Sequence, residues 1–192
     1  MPVSTLSNSS STQLLFASDN SAAIALAEEI GGTESKFADM MKANSKTGVS
    51  LMPRLSMPLA VIAQHVIKEY PEILDITKKT EANFDGVNKL KTFNYMLKGQ
   101  PSYRKGVDGL QTGTTDLAGA SFVAHSNESG MSIITVIINA EHTDTDDYAW
   151  FTATNELLNY VVYHWESKTI AKKGQAISKS QVDVLDGKSK QV

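Results

Sequence analysis

The residues between 107 and 139 constrain the fold more than any other part of the chain. Two alternating apolar runs, Gly119–His125 and Met131–Asn139, flank the polar linker Ser126–Gly130. Runs of this length around a linker that ends in glycine predict an antiparallel β-hairpin. The polar triplet Gln111–Gly113 precedes the hairpin, and we expect it on a strand edge, where an extended peptide could pair with the sheet.

The composition indicates a globular chain. Its 192 residues are enough for one good core, and 41% hydrophobic with 20% charged residues argues against disorder. A net charge of -3 gives no reason to expect nucleic acid as a partner. The lack of cysteine excludes disulfides, thiolate metal sites and a cysteine nucleophile. The sequence predicts no transmembrane segment and no signal peptide.

Helical periodicity surrounds the predicted hairpin. We expect helices over residues 22–30, 33–41, 56–69 and 72–77, and loops and short strands from 78 to 105. The first helix is rich in alanine and should be buried on most sides, and any residue of Ser18–Ser21 could cap it. The acidic turn His142–Asp147 should cap a last amphipathic helix, with Trp150, Phe151 and Trp165 in the core.

The chain divides into three predicted segments. Residues 1–13 are polar, residues 14–167 form the main domain, and residues 168–192 begin a β-rich module. The four histidines are too scattered to indicate zinc, and the cluster of aspartates at 144–147 lacks the glycine and glutamate of a calcium loop. The sequence therefore predicts no metal and no cofactor.

Two short motifs could carry chemistry. Ser18-Asp19-Asn20 on its own is most simply a helix N-cap, and Gln111-Thr112-Gly113 is most simply a strand with a glycine that allows close backbone approach. Together they follow the order of the S-D-N and K-T-G motifs of penicillin-binding proteins and class A β-lactamases.

Longer segments around both motifs resemble the serine D-alanyl-D-alanine carboxypeptidases, which are low-molecular-mass penicillin-binding proteins of bacteria. The similar segments are residues 17–28, 67–74, 92–97 and 106–115, within a likeness that runs from about Leu14 to about Trp165. The resemblance implies an α+β fold, an antiparallel sheet flanked by helices, of the penicillin-binding/β-lactamase-like transpeptidase type. The tail resembles the start of that family's C-terminal β-domain.

The resemblance also implies roles for single residues. In that family a serine attacks the D-Ala-D-Ala peptide bond, and the lysine of S-x-x-K takes its proton. By the same resemblance, Ser18 relays a proton and Asn20 binds the peptide backbone. The third motif binds the substrate carboxylate and pairs with the peptide, which assigns these contacts to Gln111, Thr112, Gly113 and Thr114.

The sequence departs from the family pattern at the nucleophile and at the third motif. The family's S-x-x-K lies several dozen residues before the second motif, so we expect this fold to be incomplete at the N-terminus and to lack the nucleophile. The one literal S-x-x-K, Ser102–Lys105, lies in a loop and out of order, and Lys46–Gly48 is a K-T-G without a following strand. Gln111 replaces a charged lysine, which should weaken carboxylate binding by about 1–2 kcal/mol.

These features lead to three functional hypotheses. The first is a D-alanyl-D-alanine carboxypeptidase of the extracellular face of the bacterial membrane or of the cell wall. It would act on peptidoglycan stem peptides, bind β-lactams and be inactive as this chain. The second is a noncatalytic binder of cell-wall peptides at the hairpin edge. The third is a degenerate fragment without a ligand.

Overall fold

The computed structural model describes residues 13–45, 56–83, 89–115, 119–140 and 148–171. Apart from a short helix at residues 13–17, which the sequence analysis did not predict, helices and strands follow one another in the predicted order. The elements are α1 (residues 13–17), α2 (Asn20–Gly31), α3 (Glu34–Ser45), α4 (Ser56–Glu69), α5 (Ile73–Thr77), β1 (Glu81–Asn83), β2 (Lys89–Lys91), β3 (Val107–Thr115), β4 (Gly119–Glu128), β5 (Met131–Ala140) and α6 (Ala149–His164).

The centre of the fold is an antiparallel sheet in the order β3-β4-β5, with β1 and β2 paired separately. The hairpin between β4 and β5 closes through Ser129 and Gly130, which have φ angles of 52° and 72°. Two central residues with positive φ are typical of the tight turns that match the twist of a hairpin. The predicted linker from Ser126 was therefore too long, because residues 126–128 continue β4 and pair with 131–133.

The pairing of β3 with β4 contains a bulge near the start of β3. Val107 lies opposite Ser126 and Gly109 lies opposite His125, so Asp108 is an extra residue in β3. A bulge of this kind re-aims the side chain of the extra residue.

One face of the sheet packs against α6 and forms the main core. Alternate strand residues point to this face, because side chains alternate along a strand. The buried cluster is Met96, Leu97, Val107, Phe122, Ala124, Ile133, Phe151 and Leu158. The prediction that Trp165 belongs to this core was wrong, since Trp165 lies just past the end of α6 and is 64% exposed.

The opposite face of the sheet carries α4 and α5, which contact β5 and β3 respectively. Helices therefore cover both faces, as predicted. Helices α2 and α3 pack against each other. The expectation that α2 is buried on most sides was wrong: its buried residues are Ala22 and Ala27, whereas Ile24 and Ile30 are 44% and 57% exposed. In the described part of the chain α2 is covered mainly along the side that meets α3.

Several helix ends differ from the predicted ones. Helix α3 continues to Ser45, beyond the predicted end at residue 41. Helix α6 begins after Tyr148, whose side chain makes no capping hydrogen bond, so the observed N-cap is not one of the predicted aspartates. The turn at 142–147 itself and Lys46–Gly48 lie outside the described residues, as do all but residue 13 and residues 168–171 of the predicted end segments 1–13 and 168–192. No described helix is both long and apolar enough to cross a bilayer.

Candidate functional site

The turn between α1 and α2 presents Ser18 at the edge of the sheet. Asp19 is the N-cap of α2, and its side chain accepts a hydrogen bond of 2.8 Å from the backbone N–H of Ser21. Ser18 has a φ of 50°, which is uncommon for a residue with a side chain. Such backbone conformations persist where the surroundings hold them, and they cluster at functional sites.

Ser18 contacts β3 directly. Its Oγ lies 2.7 Å from Thr112 Oγ1 and 2.9 Å from Gln111 Nε2, although more than 90 residues separate the motifs in sequence. Thr112 is 6% exposed, so this contact forms where water has little access. The structure therefore brings the S-D-N turn and the Q-T-G strand together, as the resemblance implied.

The Gln111 side chain joins three elements. Its Nε2 donates toward Ser18 Oγ, toward the carbonyl of Leu14 at 3.0 Å and toward the carbonyl of Thr112 at 3.0 Å. Because a primary amide has two N–H bonds, three acceptors share two protons. No residue pattern predicts the Leu14 contact, because the acceptor is a backbone carbonyl that every residue type carries.

The oxygen of the Gln111 amide is a buried acceptor. Among the described residues, Gln111 Oε1 has no hydrogen-bond partner. A buried polar atom left in this state costs about 1–3 kcal/mol. Exchanging the amide's two ends would lose the donor to Leu14, so the orientation with Oε1 unpaired keeps the larger number of hydrogen bonds. A ligand N–H or O–H group could satisfy this oxygen only after the Gln111 side chain moves, since the atom is closed to solvent.

The rim of the site is the exposed end of β3. Gly113, Thr114 and Thr115 are exposed, and β3 is an edge of the sheet that the described strands form. A Cβ built on Gly113 would meet nothing within 4 Å. This end of the strand therefore has the open surface that an added peptide strand needs.

Asn20 makes no contact with β3 through a hydrogen bond between described residues, unlike Ser18. It is the exposed first residue of α2, two positions after Ser18. Its role in binding a peptide backbone stays a prediction.

The literal S-x-x-K at Ser102–Lys105 lies at the far end of β3. The backbone N–H of Arg104 donates to the carbonyl of Met96 at 3.0 Å, and the Arg104 carbonyl accepts from Val107 at 3.3 Å. Val107 begins β3 and Thr112 is five residues on, which places the two ends about 16 Å apart. Ser102 is therefore too distant to attack a ligand held at Thr112.

A sheet between helices, with a serine turn held against an edge strand through a threonine, fits the penicillin-binding fold that the resemblance implied. Comparison with known proteins agrees. The sequence profile of the D-alanyl-D-alanine carboxypeptidase family matches residues 55–142. The chain is 27% identical to D-alanyl-D-alanine carboxypeptidase DacC of Escherichia coli and 28% identical to DacF of Bacillus subtilis, over 81% and 92% of its own length.

Solved structures give the same result. A peptidoglycan synthesis regulatory factor (PBP3) from Streptococcus pneumoniae is 39% identical, with a TM-score of 0.79 over 97% of this chain and 59% of that one. Penicillin-Binding Protein D2 from Listeria monocytogenes in its ampicillin-bound form is 25% identical, with a TM-score of 0.67 over 80% of this chain and 66% of that one. These matches support a low-molecular-mass penicillin-binding protein related to the D-alanyl-D-alanine carboxypeptidases. The chain spans 40% of DacC and 47% of DacF.

Proposed function

We propose that the cleft between the Ser18 turn and the exposed end of β3 binds the D-alanyl-D-alanine end of peptidoglycan stem peptides, at the bacterial cell wall. The observation that carries this proposal is the 2.7 Å contact between Ser18 Oγ and Thr112 Oγ1 across 94 residues of sequence. The names of the relatives, which are D-alanyl-D-alanine carboxypeptidases, support the substrate class. The ampicillin- and cefotaxime-bound forms of the Listeria protein support β-lactams as further ligands.

The geometry suggests how each residue would act on a bound peptide. An extended peptide would pair with the edge of β3, beside Gly113, where no side chain blocks its approach. Thr112 and Thr114 would donate hydrogen bonds to its terminal carboxylate. Ser18, already hydrogen-bonded to Thr112, would pass a proton between the reacting groups, because a hydroxyl both donates and accepts. Asn20 would bind the peptide amide from the helix side.

This chain by itself should bind such peptides without hydrolysing them. The reaction needs a serine whose proton is taken by a nearby base. The one S-x-x-K of the 192 residues lies about 16 Å along β3 from Thr112, at the wrong end of the strand. The first proposed function is therefore recognition of the carboxypeptidase substrate, with no turnover by this chain.

A noncatalytic binder with a different preference is the second candidate, and the Gln111 side chain favours it. Its amide is neutral, and its buried Oε1 has no partner among the described residues. An unpaired acceptor repels a carboxylate oxygen and attracts an N–H donor. Such a site would bind the amide groups of a cell-wall peptide more strongly than its free carboxylate.

Titration with a diacetyl-lysyl-D-Ala-D-Ala peptide, followed by calorimetry and by assay of released D-alanine, tests the first proposal. We expect saturable binding and no D-alanine. Thr112→Val should weaken binding, since it removes the hydroxyl and keeps the shape, whereas Thr152→Ala on exposed α6 should not change it. Equal affinity for the L-Ala-L-Ala peptide, or no binding at all, would contradict the proposal.

Incubation with a fluorescent penicillin, read by intact mass, tests the predicted lack of turnover. We expect no covalent adduct with this chain. A stoichiometric adduct mapped to a residue of the Ser18–Thr112 cleft would show that this cleft contains a nucleophile.

Gln111→Lys separates the two candidates. If the site binds a carboxylate, the added charge should strengthen peptide binding by about 5- to 30-fold, the equivalent of about 1–2 kcal/mol. If the site binds amides, the same substitution removes the free acceptor and should weaken binding. Gln111→Glu is the charge control. Its negative charge should repel the terminal carboxylate of the peptide whichever candidate is right.

A further inference from the structure

Three polar side chains form a hydrogen-bonded row on the sheet face that packs against α4. Asp108 Oδ1 lies 2.6 Å from His125 Nδ1, and His125 Nε2 lies 2.8 Å from Ser132 Oγ. One residue comes from each strand of the sheet. This order, carboxylate to Nδ1 and Nε2 to hydroxyl, is the arrangement of a serine, its general base and the group that orients the base.

The sheet register produces this row. Ile134 lies opposite His125, so Ser132 is the diagonal neighbour of His125 on the same face. Asp108 is the extra residue of the bulge in β3, and the bulge directs its carboxylate to the histidine. Periodicity in the sequence could not reveal the row, because a bulge shifts the alternation by one residue.

The contacts fit the tautomer that a general base needs. A carboxylate only accepts, so in this tautomer Nδ1 donates to Asp108, Nε2 accepts and Ser132 Oγ–H donates. Asn127 Nδ2 donates to the second carboxylate oxygen at 3.2 Å, and Thr77 donates to the Asp108 carbonyl at 2.9 Å. His125 and Asn127 thus contact the two carboxylate oxygens, while Thr77 holds the Asp108 backbone.

The histidine and the serine differ in exposure in the way that a nucleophile and its base require. His125 is 2% exposed, whereas Ser132 is open to solvent. Ser132 lines a cleft of about 540 Å³ between α4 and β5. Its other lining residues supply a mainly apolar wall with two polar side chains: Ala60, Val61, Ile67 and Ile134, with Gln64 and Lys68.

The backbone of β5 supplies a donor beside the serine. The N–H of Asn127 donates to the Gly106 carbonyl at 2.9 Å, so the peptide groups of Asn127 face β3. Because backbone groups alternate in direction along a strand, the N–H and C=O of Ser126 face β5. Ser132 lies opposite Asn127, whose groups face away from β5, so the N–H and C=O of Ser132 point away from β4. Among the described strands nothing pairs with that side of β5. The Ser132 N–H is available to an oxyanion formed on its own side chain.

We propose that Asp108, His125 and Ser132 form a second, separate acyl-transfer site, which accepts esters with a short apolar acyl group in the α4–β5 cleft. Ser132 Oγ attacks the ester carbonyl while His125 Nε2 takes its proton. The carbon–oxygen bond to the alcohol then breaks, and His125 returns the proton to the departing alcohol. Water attacks the acyl-serine with His125 again as the base, releasing the acid and restoring Ser132. Asp108 is a positioning residue that keeps His125 in the required tautomer.

This site is independent of the proposed peptide cleft. Asp108 precedes Thr112 by four residues, a distance of about 13 Å along β3. Failure of peptide binding at Ser18 leaves the ester chemistry at Ser132 unaffected, and the reverse is also true.

Labelling of the full chain with an alkyl fluorophosphonate, followed by peptide mass mapping, tests the nucleophile. Ser132 Oγ would bond to phosphorus with loss of fluoride, and the adduct should lie on the peptide that contains residue 132. Ser132→Ala, at an exposed position, should abolish the adduct, and Ser35→Ala on exposed α3 should keep it. No adduct, or an adduct that survives in Ser132→Ala, would overturn the proposal.

Hydrolysis of p-nitrophenyl acetate tests the roles of the other two residues. Ser132→Ala and His125→Ala should each lower the rate at least about 100-fold. Added imidazole should restore the rate of His125→Ala but not of Ser132→Ala, a difference that a purely structural histidine would not produce. Asp108→Asn, which keeps the side-chain shape, should lower the rate and leave the thermal melt near that of the native chain. Rates unchanged in Ser132→Ala would refute the site even if the histidine variant failed to fold.

Discussion

The two faces of the central sheet have opposite characters although the same three strands build them. The face toward α6 is packed with apolar side chains, including Phe122 and Phe151, which meet edge to face with ring centroids 5.2 Å apart. The face toward α4 and α5 carries the hydrogen-bonded row that centres on His125 and opens into a cleft beside Ser132.

This difference follows from the alternation of side chains along each strand. Ala124 is fully buried toward α6, while its neighbour His125 is buried among polar partners on the other side. The α6 face fixes the strands, because dense apolar packing tolerates little change in volume. The other face can then hold polar groups at fixed distances. The polar row therefore lies where apolar packing is incomplete, and the apolar face holds the strands that carry it in register.

Adjacent leucines in α6 give the strongest test of the apolar face. Leu158 is 0% exposed and belongs to the core cluster, whereas Leu157 is 42% exposed. Leu158→Ala should lower the free energy of unfolding by about 2–5 kcal/mol, since it leaves a cavity. Leu157→Ala should lower it by less than about 1 kcal/mol. Urea denaturation of both variants measures the contrast, and equal losses would show that α6 does not pack as described.

Arg104 gives the next largest expected effect, because it ties the hairpin to α6. Its Nε and Nη2 donate to both oxygens of Glu128 at 2.8 Å, and its Nη1 donates to Asn159 Oδ1 at 2.7 Å. Arg104→Met should lower the free energy of unfolding by about 2–4 kcal/mol, since Glu128 loses its cation in a mostly buried position.

The neighbouring Lys105 is the control for Arg104. Its side chain is exposed. Lys105→Met should change the free energy of unfolding by no more than about 0.5 kcal/mol in the same denaturation experiment. A loss for Arg104→Met that is no larger than this would mean that the hairpin is held by apolar contacts alone.

Two glycines on one face of β3 give a smaller and sharper test. A Cβ on Gly109 would lie 2.6 Å from Thr77 Oγ1 and 3.2 Å from Leu74 Cδ2, whereas one on Gly113 would meet nothing within 4 Å. Gly109→Ala should therefore lower the free energy of unfolding by about 1–3 kcal/mol. Gly113→Ala should change it by less than about 0.5 kcal/mol and weaken peptide binding. If Gly113→Ala binds the peptide as the native chain does, the open end of β3 is not the ligand surface.

The order of most strands and helices could be predicted from the sequence, because apolar residues recur every two positions in strands and about every 3.6 positions in helices. The sequence was not sufficient for exposure. Ile24 and Trp165 carry the same apolar signal as buried residues, yet both are exposed, since burial depends on which neighbour covers a surface. No local pattern reports that neighbour.

The candidate site shows the same division. The proximity of Ser18 to Thr112 was expected from the resemblance alone, since no periodicity connects residues 94 positions apart. The partners of Gln111 and the row that contains His125 were not expected. The first depends on a backbone carbonyl at Leu14, and the second depends on a bulge at Asp108. Both are consequences of tertiary geometry that residue types do not encode.

Acid titration should give the smallest of these effects, because it neutralises one partner of the Arg104–Glu128 pair and leaves the other in place. Burial raises the pKa of the Glu128 carboxyl, but hydrogen bonds from Arg104 and Ser126 outweigh burial and hold the pKa below the ordinary 4.5. The unfolded chain therefore binds the proton first as the pH falls. The stability that Glu128 contributes is complete above pH 4.5 and is lost as the pH drops through the lower, folded value. Glu128→Gln should lack this part of the pH dependence, so the difference in free energy of unfolding between the native chain and the variant should shrink with acid. A constant difference, measured by urea denaturation across that range, would show that the carboxylate contributes nothing to the attachment of the hairpin to α6.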